Sequence, residues 1–148
     1  MTAVVDKGSY RRAPRTRLAG RWSMQNAQDQ AYNIHLDDKY GSLKLIDIAA
    51  EAAAHQPWFN QTLTSVNDCV VRLGVLEGDF HWHKHDDQDE FFVVLEGELV
   101  IEVENHPTVS LKPQQGYTVP KGIMHCTHAP TRTVVLMVEA AGVIPTGD

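Results

Sequence analysis

His81-Trp82-His83-Lys84-His85-Asp86-Asp87-Gln88-Asp89-Glu90 runs directly into Phe91-Phe92-Val93-Val94-Leu95-Glu96-Gly97-Glu98-Leu99. Histidines at alternate positions lead through an acidic stretch into an apolar run that a Glu-Gly turn closes. On an extended strand, residues two apart point to one face and lie about 6.5 Å apart. His83 and His85 can therefore aim both imidazoles at one ion, with His81 on the same face and Trp82 and Lys84 on the other. A metal ion needs further ligands from other strands. Glu90 opens the next strand, on a face it shares with Phe92 and Val94, and His125 follows the turn Pro120-Lys121-Gly122. Three imidazole nitrogens and one carboxylate oxygen suit one divalent transition metal (Fe, Mn, Ni, Cu or Zn), with no thiolate to favour zinc. A single strand histidine is more often a surface or core residue than a ligand; the set at these spacings reverses that reading.

Around this segment the texture is that of an all-β protein. After Asn67 come short β-branched and aromatic runs separated by turn residues: CVVRLGVL, EFFVVL, ELVIEVE, GYTVP and RTVVLMVE. In ELVIEVE, Leu99, Ile101 and Val103 alternate with polar neighbours, which predicts a strand with one wet face, and Glu96-Gly97 is read as the hairpin turn before it. Val134 to Val138 is apolar throughout and predicts a strand covered on both faces. One short helix is expected in the Ala-rich run Ile46 to His55, with Asp47 near its start and Pro57 beyond its end.

The 148 residues fit one domain with a real core, and 43% hydrophobic with 22% charged residues is ordinary for a globular chain. Residues 1–28 hold Lys7, Arg11, Arg12, Arg15, Arg17 and Arg21 against Asp6 alone, so they read as a flexible basic arm ahead of a domain at 29–148. The net charge of -6 thus leaves the remainder near -11, which disfavours nucleic acid as a partner. Cys69 and Cys126 form no CxxC pair and suggest a reduced compartment. No apolar stretch long enough for a membrane span or a secretory signal is found, and the sequence is read as cytoplasmic.

These residues resemble the two motifs of the cupin superfamily. Its first motif is matched by Gly78, His83, His85, Glu90 and Gly97, and its second by Pro120, Gly122 and His125. The spacer from Gly78 to His83 is one residue short, Gln114 stands at the second motif's Gly position, and Ala129 stands at its Asn position. The resemblance covers about 64–140 and implies a double-stranded β-helix, or jelly-roll barrel, of the RmlC-like kind. It is similar in texture to small single-domain bacterial cupins with a sugar-isomerase-like label, which implies little about activity. The resemblance also implies a homodimer joined through sheet edges.

Two function classes follow. Four protein ligands leave one or two metal positions open, which suits a metal-dependent enzyme acting on a small organic molecule. The resemblance implies dioxygenase-like chemistry first, then isomerase or lyase chemistry. His81 and Tyr117 are the candidate catalytic side chains, as acid/base and phenol donor. The competing class is a non-catalytic module that binds a sugar or another metabolite. His128 and Cys126 are expected to point away from the ligands.

Overall fold

The computed structural model describes residues 31–148; the expected arm at 1–28 lies outside them. Its elements are β1 (Asn33–His35), α1 (Ile48–Ala53), β2 (Phe59–Val66), β3 (Cys69–Asp79), β4 (Glu90–Glu96), β5 (Leu99–Val103), β6 (Val109–Leu111), β7 (Gly116–Val119) and β8 (His125–Ala140). The strands join in the order β1-β2-β3-β8-β4-β7, with β5 between β6 and β8. The sheet curls without closing, as a jelly roll.

β8 organises the rest, because it is long enough to serve two strands end to end. Its C-terminal half pairs with β4, Glu90 opposite Glu139 through Glu96 opposite Val134. Its N-terminal half pairs with β5, Val100 opposite His128 through Val103 opposite His125. Both pairings are antiparallel and nearly in one register, so β4 and β5 are two lengths of a single path along β8. The turn expected at Glu96-Gly97 is therefore a kink in that path and no hairpin. Gly97 has φ +82°, and a Cβ there would lie 2.5 Å from Thr133 Oγ1 and 2.7 Å from the Arg132 carbonyl. Only glycine lets the two backbones approach this closely. The Thr133 hydroxyl closes the gap, accepting from the Glu98 amide at 3.1 Å.

The alternation in β5 is as expected, with Leu99, Ile101 and Val103 buried and Glu102 exposed. They join Phe92, Val94, Val119, Val135 and Met137 in the core inside the roll. Val134 faces the other way and packs with Leu63, Leu73 and Ala52 beneath α1. So β8 is covered on both faces around Val134–Leu136, by the inner core and by the cluster beneath α1. Helix α1 is shorter than the Ala-rich run. Asp47 caps it by accepting from the Ala50 amide at 3.0 Å, and it ends at Ala53, before Pro57. Three strands carry no strong sequence signal: β1, β6 and FNQTLTSV, which forms β2.

Candidate metal centre

The ladder on β3 stops at Asp79, and the chain from Phe80 to Asp89 is extended but mostly unpaired. One bridge fixes it: His83 and His125 exchange both backbone hydrogen bonds, each at 2.9 Å. That pairing sets the two rings side by side, 4.3 Å between centroids. His85, two residues on, stays on the inner side, and Glu90 enters from the first position of β4. One nitrogen or oxygen from each of His83, His85, Glu90 and His125 lies within 4.8 Å of the others, and all four residues are buried. His81 is exposed, its ring 5.4 Å from that of His83, and turns its Nε2 to the Thr146 carbonyl at 2.7 Å.

The hydrogen bonds choose the tautomers. His83 Nδ1–H donates to the His81 carbonyl and His125 Nδ1–H donates to the Ile123 carbonyl, both at 3.0 Å. A carbonyl can only accept, so Nδ1 carries a hydrogen on both rings and Nε2 is the nitrogen each turns toward the site. His125 Nε2 faces Glu90 Oε2 at 3.2 Å, and His85 Nε2 stands 3.3 Å from the same oxygen. Neutral rings in this arrangement turn nitrogen lone pairs on a buried carboxylate, a contact that a cation among them relieves. Among the described residues, neither buried His85 ring nitrogen has a hydrogen-bond partner. Ligand atoms about 2.1 Å from one ion stand roughly 3.0–3.4 Å apart when adjacent, so these residues fit a metal.

Charge supports the same fit. Burial and the neighbouring His125 push the His83 pKa down to about 4, so that ring is neutral at pH 7. Burial opposes ionisation of Glu90, but the His125 and His85 rings that face its carboxylate outweigh it and hold its pKa at about 2. Burial likewise disfavours a charged His85, yet the Glu90 carboxylate prevails and raises its pKa.

A Cupin domain profile matches residues 69–139. A cupin-2 domain containing protein from Shewanella frigidimarina is 30% identical in a superposition covering 65% of this chain and 94% of that one, with a TM-score of 0.61. This chain is a cupin. The Bacillus subtilis protein named Uncharacterized protein YdbB is 46% identical over 80 residues, 54% of this chain and 71% of that protein. KdgF from Halomonas sp., at 18% identity over 57% of this chain and 80% of that one, TM-score 0.52, shares the fold alone.

Beside the four ligand residues the cupin has a small chamber of about 20 Å³, lined by His83, Glu90, Phe92 and an aromatic group of Tyr32, Trp58 and Phe80. Phe92 lines it as its face predicts, whereas Val94 is sealed in the core. His81 and Tyr117 are not brought into the chamber; Tyr117 packs half-buried against the core, opposite Phe92 on the ladder. His128 faces outward and pairs with Asp79 at the surface. Cys126 is half-buried, its thiol pushed up to about 11 by burial and by the charges of Glu102 and Asp79.

Two groups of residues escaped the sequence. The first is Arg72 and Glu139, a fully buried ion pair; the Arg72 guanidinium also donates to the Val143 carbonyl at 3.1 Å. Burial and the charge of Glu90, its partner across the ladder, push the Glu139 pKa up to about 7 against the pull of Arg72. The signal was present, since Arg72 is the lone charge within the apolar run CVVRLGVL and Glu139 closes the run RTVVLMVE. The second group is Tyr32, Trp58 and Asn60, upstream of the recognisable motifs and without a pattern of their own.

The last residues lie across the site as a strap. Pro145 roofs the chamber. Asp148 donates its amide to the Lys84 carbonyl at 3.1 Å and accepts from the Asp86 amide at 2.7 Å. Gly147 lies so close that a Cβ would meet His83 Cβ at 2.6 Å.

Proposed function

We propose that this cupin is a metal-dependent enzyme acting on a small organic molecule, with one divalent ion held by His83, His85, Glu90 and His125. The observation that carries the reading is the buried Glu90 oxygen faced by two imidazole nitrogens, 3.2 and 3.3 Å away. A bound ion of this kind supplies Lewis acidity or redox chemistry at its one or two remaining positions. The chain's own residues do the rest. The carbonyls of His81 and Ile123 hold the His83 and His125 rings with Nε2 presented inward. The aromatic wall and the strap keep bulk water from the site, which strengthens every electrostatic interaction inside it. Dioxygenase-like chemistry is the first reaction class to assay, followed by isomerase and lyase chemistry.

The test is elemental analysis of protein purified without a metal-chelating tag, alongside a His83→Ala, His85→Ala double variant. About one metal per chain, lost in the variant, is expected. A wild-type protein that binds no metal even after reconstitution would overturn the proposal and favour a non-catalytic binding module.

A further inference from the structure

The chamber beside His83 carries its own recognition chemistry. Tyr32, Trp58 and Phe80 form an aromatic cluster, with ring centroids 5.6 Å apart for Tyr32 and Trp58, 5.5 Å for Tyr32 and Phe80, and 5.8 Å for Trp58 and Phe80. Phe80 meets His83 edge-on at 5.2 Å, so this apolar wall reaches the candidate metal centre. Two polar groups interrupt it. Asn60 Nδ2 donates to the Tyr32 hydroxyl oxygen at 3.2 Å, which leaves the Tyr32 O–H hydrogen to donate elsewhere. Asn60 Oδ1 is buried with no hydrogen-bond partner among the described residues, in a residue only 1% exposed. An unmade hydrogen bond at such an atom is costly, and a bound group that donates to it removes the cost.

We propose that this chamber is the substrate subsite of the cupin, and that it selects a small uncharged molecule with an apolar or aromatic body and one hydroxyl or primary amide head. The inference rests on the metalloenzyme reading only for what happens to the molecule afterwards. A free donor at Tyr32 beside a free acceptor at Asn60 is complementary to a group that both donates and accepts. Burial pushes the Tyr32 pKa up to about 12, so its phenol stays protonated and able to donate. Among the described residues, no lysine or arginine lines the chamber to meet an anion, and Arg72 is engaged by Glu139 and the Val143 carbonyl. The volume of about 20 Å³ holds little more than one water. Accommodating an organic molecule therefore requires the lining to move apart, the Pro145 end of the strap among it. Near that point the strap is held by the exposed His81 contact at Thr146 and the turn at Gly147.

The probes are phenol, toluene and benzoate, titrated into the full chain in zinc-loaded and metal-free forms by calorimetry, with metal content measured on each sample. Phenol is expected to bind both forms about tenfold more tightly than toluene, the effect of roughly one net hydrogen bond. Benzoate is expected to be the weakest with metal-free protein. Tyr32→Phe and Asn60→Leu should each cut the preference for phenol over toluene to less than about threefold. Tyr32→Phe removes a single oxygen and keeps the result interpretable should Asn60→Leu fold poorly. Absence of phenol binding, equal binding of phenol and toluene, or a preference unchanged in folded Tyr32→Phe would overturn the proposal. Phenol binding to protein that takes up no metal would refute the metalloenzyme reading and leave the subsite standing; metal uptake without phenol binding would do the reverse.

Discussion

Replacing Arg72 by Met removes one member of a buried ion pair whose other member, Glu139, is only 3% exposed. Even with Arg72 beside it, burial and the charge of Glu90 hold the Glu139 pKa at about 7, against 4.5 as its ordinary value. Without Arg72 it must rise further. A raised carboxyl pKa favours the fold fully below the unfolded value, and that contribution is lost as pH climbs through the folded value. The slope is about 1.4 kcal/mol per pH unit. In the wild type the loss ends near pH 7; in Arg72→Met it continues upward. At pH 5.5, where the carboxyl carries its proton in both proteins, the variant should differ little from wild type. Between pH 7 and 8 its deficit should grow by about 1 kcal/mol, toward the roughly 3–5 kcal/mol typical of a broken buried pair. The double variant Arg72→Met, Glu139→Leu leaves no buried charge and should stay within about 1 kcal/mol of wild type at every pH. Urea unfolding of the metal-free protein at pH 5.5, 7 and 8 measures all three. A deficit that does not change with pH, or a double variant as unstable as Arg72→Met at pH 8, would refute the reasoning.

Gly97→Ala should lose about 2–4 kcal/mol in the same assay, from the left-handed backbone and from forced contact with Thr133 and Arg132. Gln114 also holds a left-handed backbone, φ 69°. Gln114→Gly should therefore be neutral or stabilising by up to about 1 kcal/mol, and a clear loss would show that its side chain contributes more than its backbone strain costs. Leu73→Ala, at a fully buried site under α1, should cost about 2–5 kcal/mol. Because Glu90 raises the His85 pKa, zinc binding at pH 6 should release more protons than at pH 8.5. Calorimetry in two buffers of different ionisation enthalpy reads that difference, and equal release at both pH values would contradict it.

The four ligand residues were legible because metal coordination imposes spacing, and spacing survives in a linear sequence. His83 and His85 alternate, Glu90 opens a strand, and His125 follows a turn. The contact of His81 with the Thr146 carbonyl was not legible, because the two residues lie far apart in the chain and only the fold brings them together. The strand class was read from β-branched runs, whereas the kink at Gly97 looked like a hairpin. A Glu-Gly pair reports a left-handed residue and says nothing about whether the chain reverses there. Tyr32, Trp58 and Asn60 reach the chamber through the parallel pairing of β1 with β2 and the register of β2 on β3. Such long-range pairing leaves no local periodicity to read.

β8 carries the ligand His125 at one end and Glu139 at the other, and its inward residues fall on odd numbers throughout, among them Thr127, Ala129, Thr133, Val135 and Met137. An insertion or deletion of one residue within Pro130–Arg132 would turn one half of the strand over relative to the other. Either His125 would leave its three companions, or Val135, Met137 and Glu139 would trade the interior for the helix side. A change of two residues preserves parity and disturbs only the exposed bend. Length variation at this point of the chain is thus restricted to even steps, a constraint that descendants of this sequence inherit whatever molecule they come to act on.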